Sequence, residues 1–331
     1  MKNIKYCLLG IVLNSFFVSA QMVTPTNETM VHDPVAIEAE GKYYMFCTGR
    51  GISMFSSEDL KEWKHEAPVF AEKPSWTDSV VPEFRNHIWA PDVVAHNGKF
   101  YLYYSVSAFA KNTSAIGLTI NTTLDPESPD YKWEDQGIIV QSVPNRDMWN
   151  AIDPNIVFDE EGTAWMNFGS FWDGLKLVKL SEDLKSIAHP EEWYTIARRE
   201  RSFDIEDKNP GDAALEAPFI FKKNEWYYLF ISWDLCCRGE ESTYKVVVGR
   251  SKSVKGPYLD KSGKSLAMGG GTLVVEGNEK WYGAGHNSVY TFDDKDYMFF
   301  HAYDAQDGAK PKLRIKELSW ENEWPKQLKL N

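Results

Sequence analysis

Three acids stand in closely similar local settings: Asp33 in His32-Asp33-Pro34, Asp153 in Ile152-Asp153-Pro154 and Glu216 in Glu216-Ala217-Pro218. Two further segments, Trp89-Ala90-Pro91-Asp92 and Gly285-His286-Asn287, have the same look. The five recur roughly sixty to seventy residues apart, each just ahead of a strand-like run, and such a period marks a repeat fold. In a radial repeat, equivalent positions converge on one axis. Asp33, Asp92, Asp153, Glu216 and His286 therefore predict one polar pocket rich in carboxylates. Glycoside hydrolysis needs two carboxyl groups across the scissile bond: one protonates the leaving oxygen, the other activates water or attacks the sugar. A third acid would tune the first, because a negative neighbour holds a proton on a carboxyl. A lone Asp-Pro is commonly a turn cap, but three acids at repeat positions exceed that explanation. Asp92 is read as structural.

The elements that must position these groups are short strands. Each motif is followed by a hairpin-like pair. Val35–Ala39 and Lys42–Phe46 flank Gly41, and Val93–Ala95 and Lys99–Tyr104 flank Asn97-Gly98, a strong hairpin signal. Asn155–Phe158 and Ala164–Phe168, Phe219–Phe221 and Trp226–Phe230, and Ser288–Phe292 and Tyr297–Phe300 repeat the plan. A third strand follows in each unit: Ile52–Ser57, Ser114–Thr119, Leu175–Leu180, Tyr244–Gly249 and Lys312–Lys316. No long amphipathic helix is visible. The reading is an all-β fold, a five-bladed β-propeller with its active site on the central axis.

The 331 residues carry no linker-like or low-complexity run, so residues 21–331 read as one domain behind a signal segment at 1–20. Lys2 and Lys5 open that segment, an apolar stretch runs from Cys7 to Phe17, and Val18-Ser19-Ala20 precedes the expected cut. A secreted or periplasmic enzyme is expected. The formal net charge of −12 argues against nucleic acid and anionic membranes as partners and favours a neutral substrate. A monomer is expected. Of the 13 Trp, most belong in a propeller core and some should line a pocket. Past the cut three cysteines remain, Cys47, Cys236 and Cys237; two thiols are expected at the adjacent pair rather than a vicinal disulfide. Asn27, Asn112 and Asn121 open possible glycosylation motifs. No zinc-ligand spacing is present.

The motifs, their order and spacing resemble glycoside hydrolase family 43, and within it the arabinan endo-1,5-α-L-arabinanases. The strings Tyr103–Phe109, Trp149–Pro154, Asn167–Trp172 and Gly285–Ser288 carry that likeness. The resemblance implies Asp33 as general base, Glu216 as general acid and Asp153 as modulator of the acid's pKa. It implies inversion, for which the carboxyls should lie about 6.5–9.5 Å apart. It implies linear arabinan and arabino-oligosaccharides as substrates, met by His32, Trp89, Phe109, Asn150, Ala151, Ile152, Ser170, Phe171, Trp172 and Asn287. It also implies Ca2+ beside His286, held largely through water because hard cations prefer oxygen, and no organic cofactor. Alternatives are an exo-acting arabinanase or arabinofuranosidase/β-xylosidase, a levansucrase- or invertase-like retaining enzyme, and a non-catalytic sugar-binding propeller. A binder would have no need for all of Asp33, Asp153 and Glu216.

Overall fold

The computed structural model describes residues 22–331, so the expected signal segment lies outside the described residues. Five antiparallel sheets follow one another around an axis, a five-bladed β-propeller. The innermost strands are Val35–Ala39, His87–His96, Asn155–Phe158, Leu215–Lys223 and Trp281–Phe292. Each pairs with a second strand: Lys42–Cys47, Lys99–Val106, Ala164–Phe168, Trp226–Trp233 and Lys295–Asp304. These second strands read as almost unbroken apolar runs, such as Tyr43–Cys47 and Tyr227–Ile231. Both of their faces are covered by neighbouring blades, so strict alternation gives way to continuous hydrophobicity.

Third and fourth strands complete the blades. The outer strands Glu134–Ser142, Trp193–Ala197 and Thr272–Glu276 carried no distinct sequence signal. Among the described residues the fifth sheet has three strands, Trp281–Phe292, Lys295–Asp304 and Lys310–Glu317. The start of the described chain closes the ring. Val23–Pro25 pairs with Glu62–His65 in the first blade, then Leu313 N–H of the fifth blade donates to Thr29 O at 2.9 Å. The hairpin turns Glu40-Gly41, Asn97-Gly98 and Asp293-Asp294 hold both central residues at positive φ, the geometry that matches strand twist.

An apolar cluster fills each gap between blades. Trp165, Leu177, Leu215 and Leu229 join the third and fourth, and Met45, Trp63, Phe299 and Leu313 join the fifth and first. Full burial of one such side chain contributes about 1.5–3 kcal/mol. These interfaces fix the blades against one another, and so fix the axis that the motif residues share.

Candidate active site

Each inner strand carries the same backbone device, within it or just ahead of it. Asp33, Ala90, Asp153, Ala217 and His286 all have positive φ, between 36° and 58°. Pro34, Pro91, Pro154 and Pro218 follow four of them, and Asn287 the fifth. Left-handed backbone at five non-glycine residues is costly and tends to collect at functional sites. The blades bear part of that cost by capping the N–H of the left-handed residue. Asp33 N–H goes to His301 Nδ1 (3.2 Å), Ala90 N–H to Thr48 Oγ1 (2.8 Å), Asp153 N–H to Ser105 Oγ (3.0 Å) and His286 N–H to Ser232 Oγ (2.9 Å). In each case the acceptor comes from the preceding blade. Ser105, Ser232 and His301 are polar residues near the ends of the otherwise apolar second strands, and Thr48 directly follows one, a signal the sequence reading passed over.

This device corrects the repeat alignment. Glu216 stands one residue ahead of its left-handed position and Asp92 two residues past its own, so neither is strictly equivalent to Asp33 or Asp153. Asp92 is 1% exposed and belongs to a different ring of bonds. Its Oδ2 accepts Ile156 N–H at 2.7 Å and Asn155 Nδ2 at 3.3 Å, joining blades two and three. Asn155 Oδ1 in turn accepts Ile220 N–H at 2.8 Å, and Ser288 Oγ donates to Pro34 O at 2.7 Å. Its structural reading agrees with this geometry.

Asp33, Asp153, Glu216 and His286 meet on the axis. Asp33 Oδ1 accepts His32 Nδ1 at 2.7 Å and His286 Nδ1 at 3.0 Å, while Thr48 Oγ1 donates to Oδ2. Burial alone would raise the Asp33 carboxyl, but the charges and hydrogen bonds of His286 and His32 outweigh it and hold the group well below the usual range. Burial pushes His286 down, and Asp33, Asp153 and Glu216 more than reverse that, to about 9. Asp153 is raised to about 8, first by burial and then by the charges of Glu216 and Asp33, against the lowering pull of His286. Asp153, beside Glu216, therefore keeps its proton into the neutral range. Glu216 accepts two hydrogen bonds, Ser170 Oγ to Oε2 and Tyr244 Oη to Oε1, each 2.8 Å. One ionised carboxyl, Asp33, and a neighbouring acidic site that holds a proton can serve as base and acid in the same displacement.

A relay backs Asp33. Cys237 N–H donates to Tyr303 Oη at 2.8 Å, and Tyr303 Oη lies 2.9 Å from His32 Nε2. His32 thus bridges Asp33 through Nδ1 and Tyr303 through Nε2. His301 stacks on His32 at 3.8 Å between ring centroids and is kept neutral by burial. His301, Tyr303, Thr48 and Tyr244 were not singled out from the sequence. Cys236 and Cys237 are joined as a vicinal disulfide, contrary to the expectation of two thiols, and Cys47 is a free buried cysteine.

The residues expected to touch sugar separate into groups. Phe109 is 76% exposed, at the end of the blade where Trp89 also lies, and Trp89 and Phe171 are half-buried. His32 keeps partial exposure but is committed to Asp33 and Tyr303. Ser170 is turned to Glu216. Ala151 and Ile152 are buried, and Trp172 is 1% exposed with its Nε1 donating to Asp207 O at 2.8 Å; its face packs in the protein and offers no stacking platform here. Asn150 Oδ1 and both polar atoms of the Asn287 side chain are buried without a protein partner. Asn112 and Asn121 are buried, which closes two of the possible glycosylation motifs.

His32, Asp33 and His301 place ligand atoms within 4.8 Å of one another, but their nitrogens are largely spent on Tyr303 and on the side chain and backbone of Asp33. His286 uses Nδ1 for Asp33 and, among the described residues, has no hydrogen-bond partner at Nε2. Among the described residues no cluster of carboxylates surrounds it of the kind Ca2+ takes directly. A neutral His286, with Nδ1–H on Asp33, would offer its Nε2 lone pair to an ion whose remaining shell is water, in place of the proton that its raised pKa otherwise keeps there.

The family model for glycosyl hydrolases family 43 matches residues 22–325. The chain belongs to that family. The extracellular exo-α-(1→5)-L-arabinofuranosidase ArbA of Cellvibrio japonicus is 54% identical over 92% of this chain and 88% of its own length. The extracellular endo-α-(1→5)-L-arabinanase 1 of Bacillus subtilis is 40% identical over 96% of this chain and 93% of its own. The structure of a Cellvibrio cellulosa α-L-arabinanase complexed with arabinohexaose superposes with a TM-score of 0.88 at 54% identity, covering 90% of this chain and 95% of the other. The family 43 propeller is thus the fold of this chain, with the three acids of the motifs on its axis.

Proposed function

We propose that this chain is an extracellular hydrolase that removes short products from the ends of α-1,5-linked L-arabinan, with inversion at the anomeric carbon. The observation that carries the exo reading is the gradient of likeness, 54% identity to the exo-acting relative against 40% to the endo-acting one. The endo action expected from the sequence rested on strings of a family that holds both modes, and it gives way here to the exo alternative.

The proposed chemistry assigns one role to each acid. Asp33, ionised, is the general base. A carboxylate has about four lone-pair sites, and His32, His286 and Thr48 occupy three, which leaves one on Oδ2 for a water. That water attacks the anomeric carbon and passes its proton to Asp33. The glycosidic C–O bond breaks, its electron pair goes to the leaving oxygen, and that oxygen takes the proton of Glu216. Asp153 raises the proton affinity of the pair, so that Glu216 can enter the reaction protonated. Phe109 and Trp89 are the proposed stacking surfaces, with Phe171, Asn150 and Asn287 beside them. Ca2+ on His286 Nε2, with water completing its shell, would add positive charge next to the carboxylates.

The test is product analysis on debranched linear arabinan at early times, with NMR of the newly released anomer. One small product from the outset, of inverted configuration, is the expected result. A ladder of mixed oligosaccharides would replace exo by endo action. A retained anomer would remove Asp33 as base. Loss of release in Glu216→Ala is expected on the same substrate.

A further inference from the structure

Tyr244 lies outside the motifs, yet its hydroxyl donates to Glu216 Oε1 at 2.8 Å. The side chain is 1% exposed. Burial, followed by the charges of Glu216, Asp153 and Asp33, holds its phenol well above the ordinary range. Tyr244 therefore stays a hydroxyl, and a donor to Glu216, through the neutral range. The other donor to Glu216, Ser170, has a hydroxyl that rotates freely between donor and acceptor.

A second observation concerns the slot that holds the ring. A Cβ at Gly285 would overlap Cδ1, Cε1 and Cγ of Tyr244. Gly285 does not have positive φ, so its lack of a side chain is a matter of space and not of backbone conformation. It sits directly before His286, and it pairs across the sheet with His301, whose ring lies 6.1 Å from that of Tyr244. The glycine of the fifth motif thus clears room for a phenol that is aimed at the carboxyl of the fourth.

We propose that Tyr244 is a positioning residue for the acid, resting on the reading of Glu216 as proton donor. Its hydroxyl fixes Oε1 as the acceptor of a permanent hydrogen bond, which assigns the transferable proton to Oε2. As the C–O bond breaks and that proton moves to the leaving oxygen, Glu216 becomes a carboxylate. The Tyr244 bond then turns from neutral to charge-assisted and strengthens in the transition state. Tyr244 itself neither gains nor loses a proton. Gly285 is the residue that permits this placement.

The test compares two substrates in Tyr244→Phe, which removes one oxygen and keeps the ring. An arabino-oligosaccharide has a sugar alkoxide leaving group that needs a proton. The 4-nitrophenyl glycoside of an arabino-oligosaccharide has one that does not. Expected is a fall in kcat of roughly ten- to a hundred-fold on the first with KM little changed, and a fall within about two-fold on the second. The basic limb of the pH profile moves to higher pH, because the carboxylate has lost a donor. Gly285→Ala, which displaces the ring but keeps the hydroxyl, gives the same split, and thermal melting checks both variants for folding. Equal losses on the two substrates, or an unmoved basic limb, overturn the proposal. Glu216→Ala on the same pair separates the layers. If it lacks the leaving-group dependence, the acid assignment falls and the role of Tyr244 with it. If it has that dependence and Tyr244→Phe does not, the role of Tyr244 alone falls.

Discussion

Asp153 Oδ2 accepts the backbone N–H of Ala217 at 3.1 Å, which ties the carboxyl of the third blade to the residue next to Glu216. In the other blades the matching N–H is capped from the blade before, by Ser105, Ser232 or His301 on its second strand or by Thr48 directly after it. The register Asn155↔Asn167 puts Gly169 at that place in the third blade, where no side chain exists to cap anything. The vacant acceptor role passes to Asp153. One glycine thus couples the third acid to the backbone of the second.

Asp153→Asn separates the tie from the charge. The amide oxygen can still accept the Ala217 N–H, so the fold and melting temperature should hold. The carboxyl that raises the proton affinity of the site beside Glu216 is gone. The expected result is a loss in kcat of about a hundred-fold and a basic limb displaced to lower pH. Full activity with an unshifted limb would remove Asp153 from the chemistry.

The wild-type pH profile follows from the same groups. Asp33 must be ionised and is held well below the usual 3.8 by His286 and His32, so the acid limb should lie below the ordinary carboxylate range. Asp153, beside the proposed acid, loses its proton near about 8, so the basic limb should fall there. Measurement of kcat/KM across pH 3–10, over the interval in which the protein stays folded, checks both limbs. An acid limb at pH 5 or above would mean that another group serves as base.

The period of the motifs was legible because acids and prolines are rare in strand-like runs. Their alignment was not. Asp92 and Glu216 were placed as equivalents of Asp33 and Asp153 because all are acidic, whereas the backbone aligns Ala90 and Ala217 with them. The prolines at 34, 91, 154 and 218 carried the correct alignment, each directly after a left-handed residue. Chain identity alone could not reveal Tyr244, since in Tyr244–Gly249 it looks like one more aromatic in a buried strand. Its role depends on Gly285, more than one blade-strand away in the sequence and in contact only after folding. Trp172 misled for the reverse reason: a Trp beside cleft residues looks like a sugar platform, yet Pro210 O and Asp207 O bind its backbone and ring N–H groups and draw it inside.

His286 carries the proposal of calcium through one free nitrogen. Stripping the protein with a chelator should lower kcat, and added Ca2+ should restore it. His286→Ala should no longer respond to either treatment. Elemental analysis of the purified protein gives an independent readout. Full activity after chelation, with no calcium in the protein beforehand, would withdraw the ion from the site.

Asp92 offers a stability test away from the reacting groups. Burial raises its carboxyl to about 7 even though Ile156 N–H, Asn155 and Val93 N–H pull it down. In the unfolded chain it titrates near the ordinary value, about 3.9. The folded state therefore holds a proton that the unfolded state releases. That contribution to stability is complete below about pH 4 and is lost as pH rises through about 7, because ∂ΔG/∂pH follows the difference in bound protons. At about 1.4 kcal/mol per unit, a shift of this size amounts to at most about 4 kcal/mol. Asp92→Asn keeps an oxygen for Ile156 N–H and does not titrate. The melting temperature of the variant relative to wild type should climb between pH 4 and 7 and level off above. A difference that stays flat across that window would mean that the Asp92 carboxyl is ionised throughout, and that its neighbours hold it as a charge.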